Sequence, residues 1–395
     1  MKKNIIITTG LYPSEGIFSL IKYISVALIS NNDFHKKYNL KILLFNENVK
    51  EKIKKIIYNT YLIIKNIFSI KKNRIHKFTF SAKKFKNDNY NLSKYIEFFI
   101  DEGDYNKFNP YLIFPMQTNS KKNILSLGYI YDLQHKDLPY LFEKNEIRRR
   151  NNLFRKILAD NQKVIVNSKF VKNGLIKNYK VDSEKIIQLP FMPYIFDNIY
   201  FSKKNIKKKY DISDDYFLIS NNFWKHKNHE TAFSAFKIFL QKYPRFQLIC
   251  TGNPYDSRFP NYFKNLSKKY SDLIKKNKIK ILKLIPRSDQ LSLMKDSKAV
   301  VQPTFYEGGP GGFSAYEALS IGKKLLLSNI PINKEIKSQN VHFFNVNSPK
   351  ELAKLFLKVV DVKENSKKSF LNKNVSQKNK KFFGKFLLKM IDQVK

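Results

Sequence analysis

The chain has 395 residues, of which 43% are hydrophobic and 15% aromatic, so it is long enough for two domains and too apolar for a wholly disordered protein. Its 74 lysine and arginine residues outnumber 32 acidic residues, which gives a formal net charge of +42. Such a charge suggests three classes of partner: nucleic acid, an anionic membrane surface or an acidic substrate. Only eight of the 74 cations are arginine, the residue usually used for bidentate contacts to phosphates and bases. We therefore interpret most of the charge as a compositional preference for surface lysine and expect no nucleic-acid partner, while binding to anionic lipid or glycan stays open.

Signals for export, membrane insertion and disulfide formation are weak. The apolar run Ile5–Ile7 near the N-terminus is too short for a signal peptide and predicts a first strand. No apolar run approaches the roughly 18 residues of a membrane span. Cys250 is the single cysteine and lies in an apolar run, which favours a core position and excludes a disulfide within the chain. We expect a cytoplasmic protein, or one that lies peripherally on the inner face of the cell membrane.

Short apolar runs alternate with helical patterns along the chain. Most of the runs are continuously apolar, which is typical of parallel strands covered by helices on both faces, so the sequence predicts doubly wound α/β domains. The predicted strands are Asn4–Thr8, Leu40–Phe45, Tyr111–Phe114, Ile124–Tyr131, Lys163–Asn167, Lys185–Leu189, Tyr216–Ser220, Phe246–Thr251, Ile279–Leu284, Ala299–Pro303 and Lys324–Leu327. Helical patterns cover Phe18–Ser30, Lys144–Ala159 and Asn228–Gln241.

The stretch Pro190–Lys209 has no clear period and is interpreted as an interdomain linker. The sequence thus predicts a Rossmann-like N-terminal domain over 1–195 and a Rossmann-like C-terminal domain over 205–370. A helix at about 375–395 could pack back on the first domain. Two such domains facing each other would leave a cleft at the carboxyl ends of their sheets, where ligands of α/β folds bind.

The segment Val300–Ser328 reads as strand, glycine-rich turn, helix and strand. Its turn is Gly308-Gly309-Pro310-Gly311-Gly312, and four glycines in five residues allow close backbone approach and unusual φ angles. A glycine-rich loop that opens a helix directs N–H groups at an anion, typically phosphate. Glu317, about one turn into the helix, could accept hydrogen bonds from sugar hydroxyls, and Gly322 is suited to end the helix. The alternative is a flexible turn with Glu317 on a surface helix.

This segment resembles the donor-binding motif of GT-B glycosyltransferases of family 4, which retain the anomeric configuration. The usual motif has two glutamates separated by seven residues, whereas Glu307 and Glu317 are separated by nine. The resemblance implies that Glu317 binds the ribose and that Glu307 and the loop amides hold the donor sugar. The implied donor-binding residues of this segment are Glu307, Gly308, Gly309, Gly311, Gly312, Phe313, Ser314 and Glu317. Among them, Gly312–Ser314 are implied to face the phosphates.

A second segment, Ser220–His229, joins a predicted strand to a helix. Lysine at such a junction is well placed to neutralise a diphosphate. Lys227 matches the lysine that the resembled family carries here, while Asn221 stands where the family has arginine, so Lys225 could substitute for that cation. The alternative is that Lys225 and Lys227 are ordinary surface lysines.

A third segment, Ile130–Pro139, follows the apolar run Ile124–Ile130. It resembles the family's first-domain motif, in which an aspartate and a histidine lie beside the donor sugar, and the alternative is a loop that caps the next helix. The implied catalytic residues are His135, Asp132 and Glu307, with Asp137 nearby. Downstream, Ser168 is predicted to cap a helix.

Near the N-terminus, Gly16 is the one glycine of Pro13–Ile17, the segment that joins the first strand to the first helix. The resembled family has a glycine-rich loop here that touches acceptor or donor, which implies acceptor binding by Gly16. A further feature, the triple Arg148-Arg149-Arg150, could form a basic stripe for phosphate or acidic lipid.

Together these motifs predict a retaining glycosyltransferase that moves a sugar from a nucleoside-diphosphate sugar to a glycan or lipid-linked acceptor in cell-surface polysaccharide or lipopolysaccharide synthesis. The implied partners are the nucleotide sugar and this acceptor, with peripheral contact to an anionic membrane left open. No cofactor is expected and no metal, because lysine and loop amides would carry the diphosphate charge. The alternative is a non-catalytic GT-B-like protein that binds glycan or membrane.

Overall fold

A computed structural model describes residues 2–10, 15–45, 82–99, 102–116, 124–194, 201–202, 205–361 and 373–394. The chain divides into two compact units. The smaller comprises Met1–Gly128, Asp160–Gln162 and Gly384–Lys395, and the larger comprises Tyr129–Ala159 and Lys163–Phe383. The predicted domain boundaries at 195 and 205 adjoin positions 195–200 and 203–204, which lie outside the described residues, so these boundaries stay a prediction.

The strands of the described residues form two parallel sheets. The strands are β1 Lys3–Thr8, β2 Tyr38–Phe45, β3 Ile96–Phe99, β4 Pro110–Met116, β5 Leu125–Tyr129, β6 Lys163–Val166, β7 Ile186–Gln188, β8 Tyr216–Ser220, β9 Gln247–Thr251, β10 Ile279–Lys283, β11 Val300–Gln302, β12 Leu325–Ser328 and β13 Val341–Phe344. The first sheet has the order β3-β2-β1-β4-β5-β6-β7 and the second β10-β9-β8-β11-β12-β13. The predicted α/β class with parallel sheets is confirmed.

Every predicted strand is present, with ends within two residues of the prediction. The sequence analysis missed β3 and β13, and both lie at the edge of their sheets. Edge strands are covered less completely, and the sequences Ile-Glu-Phe-Phe and Val-His-Phe-Phe accordingly leave middle positions exposed or half-buried. These strands therefore lack the continuous apolar signal on which the prediction depended.

Helices connect most of the strands, as expected for a parallel sheet. They are α1 Glu15–Ile29, α2 Asn32–Lys37, α3 Ala82–Asp88, α4 Tyr90–Ser93, α5 Gln134–Asp137, α6 Lys144–Asp160, α7 Lys169–Tyr179, α8 Ile206–Tyr210, α9 His229–Phe239, α10 Tyr262–Lys269, α11 Ser271–Lys275, α12 Arg287–Asp296, α13 Gly312–Ser320, α14 Pro349–Asp361 and α15 Lys373–Asp392. Among the described residues, none of these helices is both long enough and apolar enough to cross a bilayer.

The second sheet is buried on both faces because successive side chains of a strand point to opposite sides. From β8, Phe217 and Ile219 enter one cluster with α9 and α14, where Phe236 and Phe356 lie, whereas Leu218 enters the cluster on the other face with α13. Cys250 belongs to the first cluster and is fully buried, and burial raises the pKa of its thiol. The predicted core position of this cysteine is confirmed.

In the smaller unit, a separate cluster joins β1, β2, β3 and β4 through Ile6, Leu43, Phe99 and Ile113. The last turn of α15 belongs to the same unit, where Asp392 accepts hydrogen bonds from the Lys37 ammonium at 2.8 Å and the Tyr38 hydroxyl at 2.7 Å.

Candidate functional site

Hydrogen bonds made by the two residues next to Lys227 hold the turn after β8 in place. Lys225–Lys227 form a 3-10 turn, after which Asn228 adopts a left-handed conformation at φ 52°. The Asn228 amide donates to the carbonyl oxygens of Pro303 at 3.0 Å and Val346 at 3.1 Å. The backbone N–H of Phe305 donates to the His226 carbonyl at 2.8 Å. These bonds connect the turn after β8 to the segment after β13 and to the segment after β11, the strand next to β8 in the sheet.

This connection brings Lys227 and Glu307 together. The Lys227 Nζ lies 2.6 Å from Glu307 Oε1, and the two side chains are only 12% and 8% exposed. Glu307 also packs against the helix start, since its Oε2 lies 3.1 Å from where a Cβ of Gly312 would stand. A carboxylate at the N-terminus of a helix is favoured by the helix dipole. Lys227, Glu307 and the start of α13 therefore form one charged cluster.

The glycines of the loop are required by its surroundings. A Cβ on Gly308 would lie 2.1 Å from the Tyr131 carbonyl oxygen, and a Cβ on Gly309 would lie 3.0 Å from the Asn167 Cβ. Gly311 and Gly312 have φ angles of +61° and +64°, which glycine adopts without steric cost. The loop is therefore a tightly fitted element and not a flexible turn.

Two of the loop amides are already used within the protein. The Gly311 N–H donates to the Asn333 Oδ1 at 2.9 Å, and the Gly312 N–H donates to the Gly309 carbonyl at 3.0 Å. The next two residues, Phe313 and Ser314, are half-buried in the first turn of α13, and the Ser314 Oγ is buried without a hydrogen-bond partner in the described part of the chain. Phosphate binding at this helix start would thus rest on Phe313 and Ser314 more than on the glycine amides.

Glu317 lies farther along α13 and forms an ion pair with Arg287, the first residue of α12. The Arg287 guanidinium also donates to Gln290 at 2.6 Å. The helix ends at Ser320, and Gly322 follows in a left-handed conformation at φ +74°, as predicted.

The loop after β5 places Asp132 and His135 in a buried polar cluster. Asp132 forms an ion pair with Arg150 of α6 and accepts a hydrogen bond from the Gln134 N–H at 3.1 Å. Burial raises the pKa of the Asp132 carboxyl, and the Arg150 charge opposes that rise.

His135 is 1% exposed, and both of its ring nitrogens have partners. Arg150 Nε donates to Nδ1 at 3.2 Å, and Nε2 lies 3.0 Å from the Asn151 Oδ1. Because arginine only donates, Nδ1 accepts and Nε2 carries the proton that Asn151 accepts. Burial, followed by the Arg150 charge, lowers the pKa of His135 to about 4, so the ring is neutral at pH 7.

Tyr306 joins the loops after β5 and β11. Its hydroxyl accepts the Leu133 N–H at 2.8 Å and donates to Asp137, whose pKa burial nonetheless raises. The Ser168 Oγ caps α7 by accepting the Val171 N–H at 3.1 Å, which confirms the predicted cap.

The remaining sequence candidates are placed differently. Lys225 is exposed, with its Nζ 4.4 Å from the Phe259 ring centroid. Gly16 is exposed near the start of α1 in the smaller unit, whereas all other candidates lie in the larger unit. The arginine triple is not a basic stripe: Arg150 is buried against Asp132, and Arg149 pairs with Glu146 at 2.7 Å. A helix turns by about 100° per residue, so three consecutive side chains point in different directions.

Arg258, in the segment after β9, contacts both the loop after β5 and the turn after β8. The sequence analysis missed this residue. Its guanidinium donates to Gln134 at 3.1 Å and to His226 Nδ1 at 3.2 Å. The scarcity of arginine in a lysine-rich chain was the available signal, because arginine is retained where its planar geometry matters. Within the described residues, no group of three or more histidine, cysteine, aspartate or glutamate side chains could hold a metal ion.

The architecture is shared with solved structures. HepE from Anabaena, crystallised in complex with UDP and glucose, superposes with a TM-score of 0.65 at 13% identity, covering 99% of both chains. WaaG, described as a glycosyltransferase involved in lipopolysaccharide biosynthesis, gives a TM-score of 0.56 at 12% identity, again over 99% of both chains. With its two parallel sheets of seven and six strands, the chain has the GT-B fold.

Comparison of sequences adds one family match and one curated relative. Residues 202–377, slightly less than half of the chain, match the family described as Glycosyl transferases group 1. The O-antigen chain mannosyltransferase RfbU of Salmonella typhimurium is 26% identical over 187 residues. That match covers 47% of this chain and 48% of RfbU, so it spans about half the length of the curated relative. The predicted resemblance to GT-B glycosyltransferases is confirmed, while the assignment to family 4 stays a prediction.

Proposed function

We propose that the chain is a retaining glycosyltransferase that moves a sugar from a nucleoside-diphosphate sugar to a hydroxyl of a glycan or lipid-linked acceptor. The group 1 domain supports the transferase activity. Similarity to an O-antigen chain mannosyltransferase and to a lipopolysaccharide glycosyltransferase supports a role in cell-surface polysaccharide or lipopolysaccharide synthesis. The complex of HepE with UDP and glucose supports a nucleotide-sugar donor.

The observation that carries the proposal is the Lys227–Glu307 pair at the start of α13. The helix begins in a closely fitted glycine loop, and the buried Ser314 hydroxyl in its first turn has no partner among the described residues. A helix N-terminus, a lysine and an unused hydroxyl suit a phosphate group. The carboxylates of Glu307 and Glu317 suit sugar and ribose hydroxyls, respectively.

In the proposed reaction, the acceptor oxygen forms a bond to the anomeric carbon of the donor. The bond between that carbon and the diphosphate oxygen breaks, and the acceptor proton passes to the departing diphosphate. Negative charge builds up on this leaving group, where Lys227 and the start of α13 would stabilise it. We propose that no divalent metal is needed for this step.

The predicted catalytic residues take different parts in this proposal. Glu307 would contact the donor sugar, because its carboxylate lies beside the helix start. Asp132 Oδ1 is bound by Arg150 and the Gln134 N–H, and both ring nitrogens of His135 are engaged by Arg150 and Asn151, so we assign them as positioning residues that hold the loop after β5.

Thermal stabilisation by UDP, GDP, ADP and CMP, each with EDTA, tests the donor site. A ligand that binds the folded state at about 100 times its dissociation constant adds about 2.7 kcal/mol. We expect one nucleoside diphosphate to stabilise the wild type and to lose this effect in Glu317→Ala. Glu184→Ala, at an exposed position of the same unit, should behave as the wild type. No response to any nucleotide would favour a non-catalytic protein, and an inverted anomeric configuration of the product, measured by NMR, would contradict retention.

The net charge of +42 also supports peripheral binding to an anionic membrane surface. Vesicle co-sedimentation tests this proposal with anionic and neutral lipid mixtures. Binding should rise with the anionic fraction and fall with salt, and equal binding to neutral vesicles would contradict it.

A further inference from the structure

The charge of Lys227 is already matched by a carboxylate. Its Nζ lies 2.6 Å from Glu307 Oε1, and both side chains are nearly buried. Bringing a diphosphate to this pair would add negative charge to a cluster that is neutral, and burying an unmatched charge is costly. A second cation close to Lys227, in addition to the start of α13, would therefore strengthen diphosphate binding.

Neither nearby polar residue in the turn after β8 supplies that cation. Asn221 is neutral, and its amide donates to the Gln302 side chain. Lys225 is exposed and its ammonium lies over the Phe259 ring, 4.4 Å from the centroid. A lysine in that position is strongly hydrated and contributes little to a buried anion site.

Arg258 lies beside the same turn from another strand. Its guanidinium lies 3.2 Å from the Nδ1 of His226, the residue that directly precedes Lys227. It also donates to Gln134 at 3.1 Å, in the loop that contains Asp132, and lies over the Phe142 ring at 5.0 Å from the centroid. The guanidinium therefore lies between the loop after β5 and the turn after β8, two elements of the candidate donor site.

The positive charge of Arg258 is only partly balanced. Its carboxylate partner Asp256 lies 3.3 Å away and also accepts the backbone N–H groups of Lys225 at 3.0 Å and Arg258 at 3.1 Å. The other partners, Gln134 and His226, are neutral acceptors, because burial and the charges of Lys227 and Arg258 hold the pKa of His226 well below its usual value. Arg258 thus retains donor groups and charge for an anion.

The guanidinium is also accessible. The Arg258 side chain is 26% exposed, and it lines a cavity of about 500 Å³ together with Lys225 and Phe259, a cavity that neither Lys227 nor Glu307 lines. A ligand could reach Arg258 without displacing a buried helix or strand.

We infer that Arg258 is the second cation of the donor site and binds the diphosphate group together with Lys227. This inference rests on the proposed nucleotide-sugar function. The planar guanidinium would donate two hydrogen bonds to phosphate oxygens, and the neutral His226 ring would hold its orientation. The competing explanation is that Arg258 has a purely structural role and only links Gln134 to Asp256.

Isothermal titration with UDP and UMP tests the inference on the wild type, Arg258→Gln, Arg258→Lys and Arg245→Gln. Arg245 is exposed in the same unit and undergoes the same chemical change. We expect Arg258→Gln to weaken UDP binding by about tenfold or more, since a charge-assisted hydrogen bond contributes about that factor. UMP binding should weaken less, Arg258→Lys should recover part of the loss, and Arg245→Gln should leave UDP binding unchanged. If GDP or ADP is the nucleotide that stabilises the wild type, it and its monophosphate replace UDP and UMP.

A second measurement needs no variant. Phenylglyoxal modification of the wild type, mapped by mass spectrometry, should show that the nucleoside diphosphate protects Arg258 and leaves Arg245 reactive. Unchanged diphosphate affinity in Arg258→Gln, or no protection of Arg258, would overturn the inference while leaving the proposed function intact. A wild type that binds none of the nucleotides would overturn both, and a lower melting temperature of Arg258→Gln at unchanged affinity would establish the structural link.

Discussion

The ammonium group of Lys227 lies 2.6 Å from the Glu307 carboxylate, although 80 positions separate the two residues. They meet because the parallel strands β8 and β11 are neighbours and end at the same edge of the sheet. Their pairing joins two of the sequence motifs on which the functional hypothesis depends.

Breaking the Lys227–Glu307 pair should destabilise the protein. Lys227→Met leaves a nearly buried carboxylate without its partner, which we expect to lower the free energy of unfolding by about 3 kcal/mol. The double variant Lys227→Met/Glu307→Gln should recover part of this loss. Urea denaturation measures both.

The matched control is Lys298→Met. Lys298 pairs with Asp215 at 3.0 Å, but these side chains are 37% and 45% exposed, so the loss should stay below about 1 kcal/mol. Equal losses at Lys227 and Lys298 would contradict the assignment of a nearly buried, strongly coupled pair.

We expect the glycine loop to tolerate an added methyl group better at Gly309 than at Gly308. A Cβ at Gly308 would lie 2.1 Å from the Tyr131 carbonyl, a backbone atom, whereas at Gly309 the nearest atom is the Asn167 Cβ at 3.0 Å. We expect Gly308→Ala to cost at least about 2 kcal/mol, because the backbone must shift, and Gly309→Ala to cost less. Denaturation curves measured with and without nucleotide report stability and binding together, and a larger loss in Gly309→Ala would contradict the observed packing.

Acid should destabilise the fold through buried neutral histidines. Neither ring nitrogen of His229 has a partner at hydrogen-bonding geometry in the described part of the chain, and burial lowers its pKa to about 3. The unfolded chain binds a proton below about pH 6.5 and the folded chain does not. The stabilisation is therefore complete above pH 6.5, and about 1.4 kcal/mol per pH unit is lost as the pH falls from there towards 3.

The variant His229→Phe isolates this effect. The His229 ring stacks on Phe223 with centroids 4.1 Å apart, so phenylalanine should fit and should not lower stability at pH 7. Between pH 6 and pH 4, unfolding free energies of the variant should fall less steeply than those of the wild type, by the slope of one proton. Identical slopes would show that His229 does not contribute.

Transfer activity should survive chelation. Lys227 and the start of α13 would carry the charge of the leaving diphosphate, so we expect EDTA to leave the rate of sugar transfer unchanged and added Mg²⁺ or Mn²⁺ to raise it less than twofold, a change of about 0.4 kcal/mol in the barrier. Initial rates with and without EDTA measure this. Loss of activity with EDTA and its return with one cation would contradict the prediction.

The sequence determined the α/β alternation, eleven of the strands and the local chemistry of the motifs, because these properties reside in neighbouring residues. Continuous apolar runs indicate buried strands wherever they occur. The glycine loop, the Ser168 cap and the Gly322 helix end follow from local backbone conformation. β3 and β13 were missed because Glu97 and His342 interrupt their four-residue runs and remove the continuous apolar signal.

Only the tertiary structure decided which charged groups pair and which retain donor groups for a ligand. The sequence did not indicate that Arg150 joins Asp132, that His135 has both nitrogens engaged, or that Arg258 lies beside His226. The order of the strands decides which of these residues come into contact, and that order results from packing over the whole chain. Because the strength of a charge depends on its burial and its partners, the role of each predicted site residue depends on the complete fold.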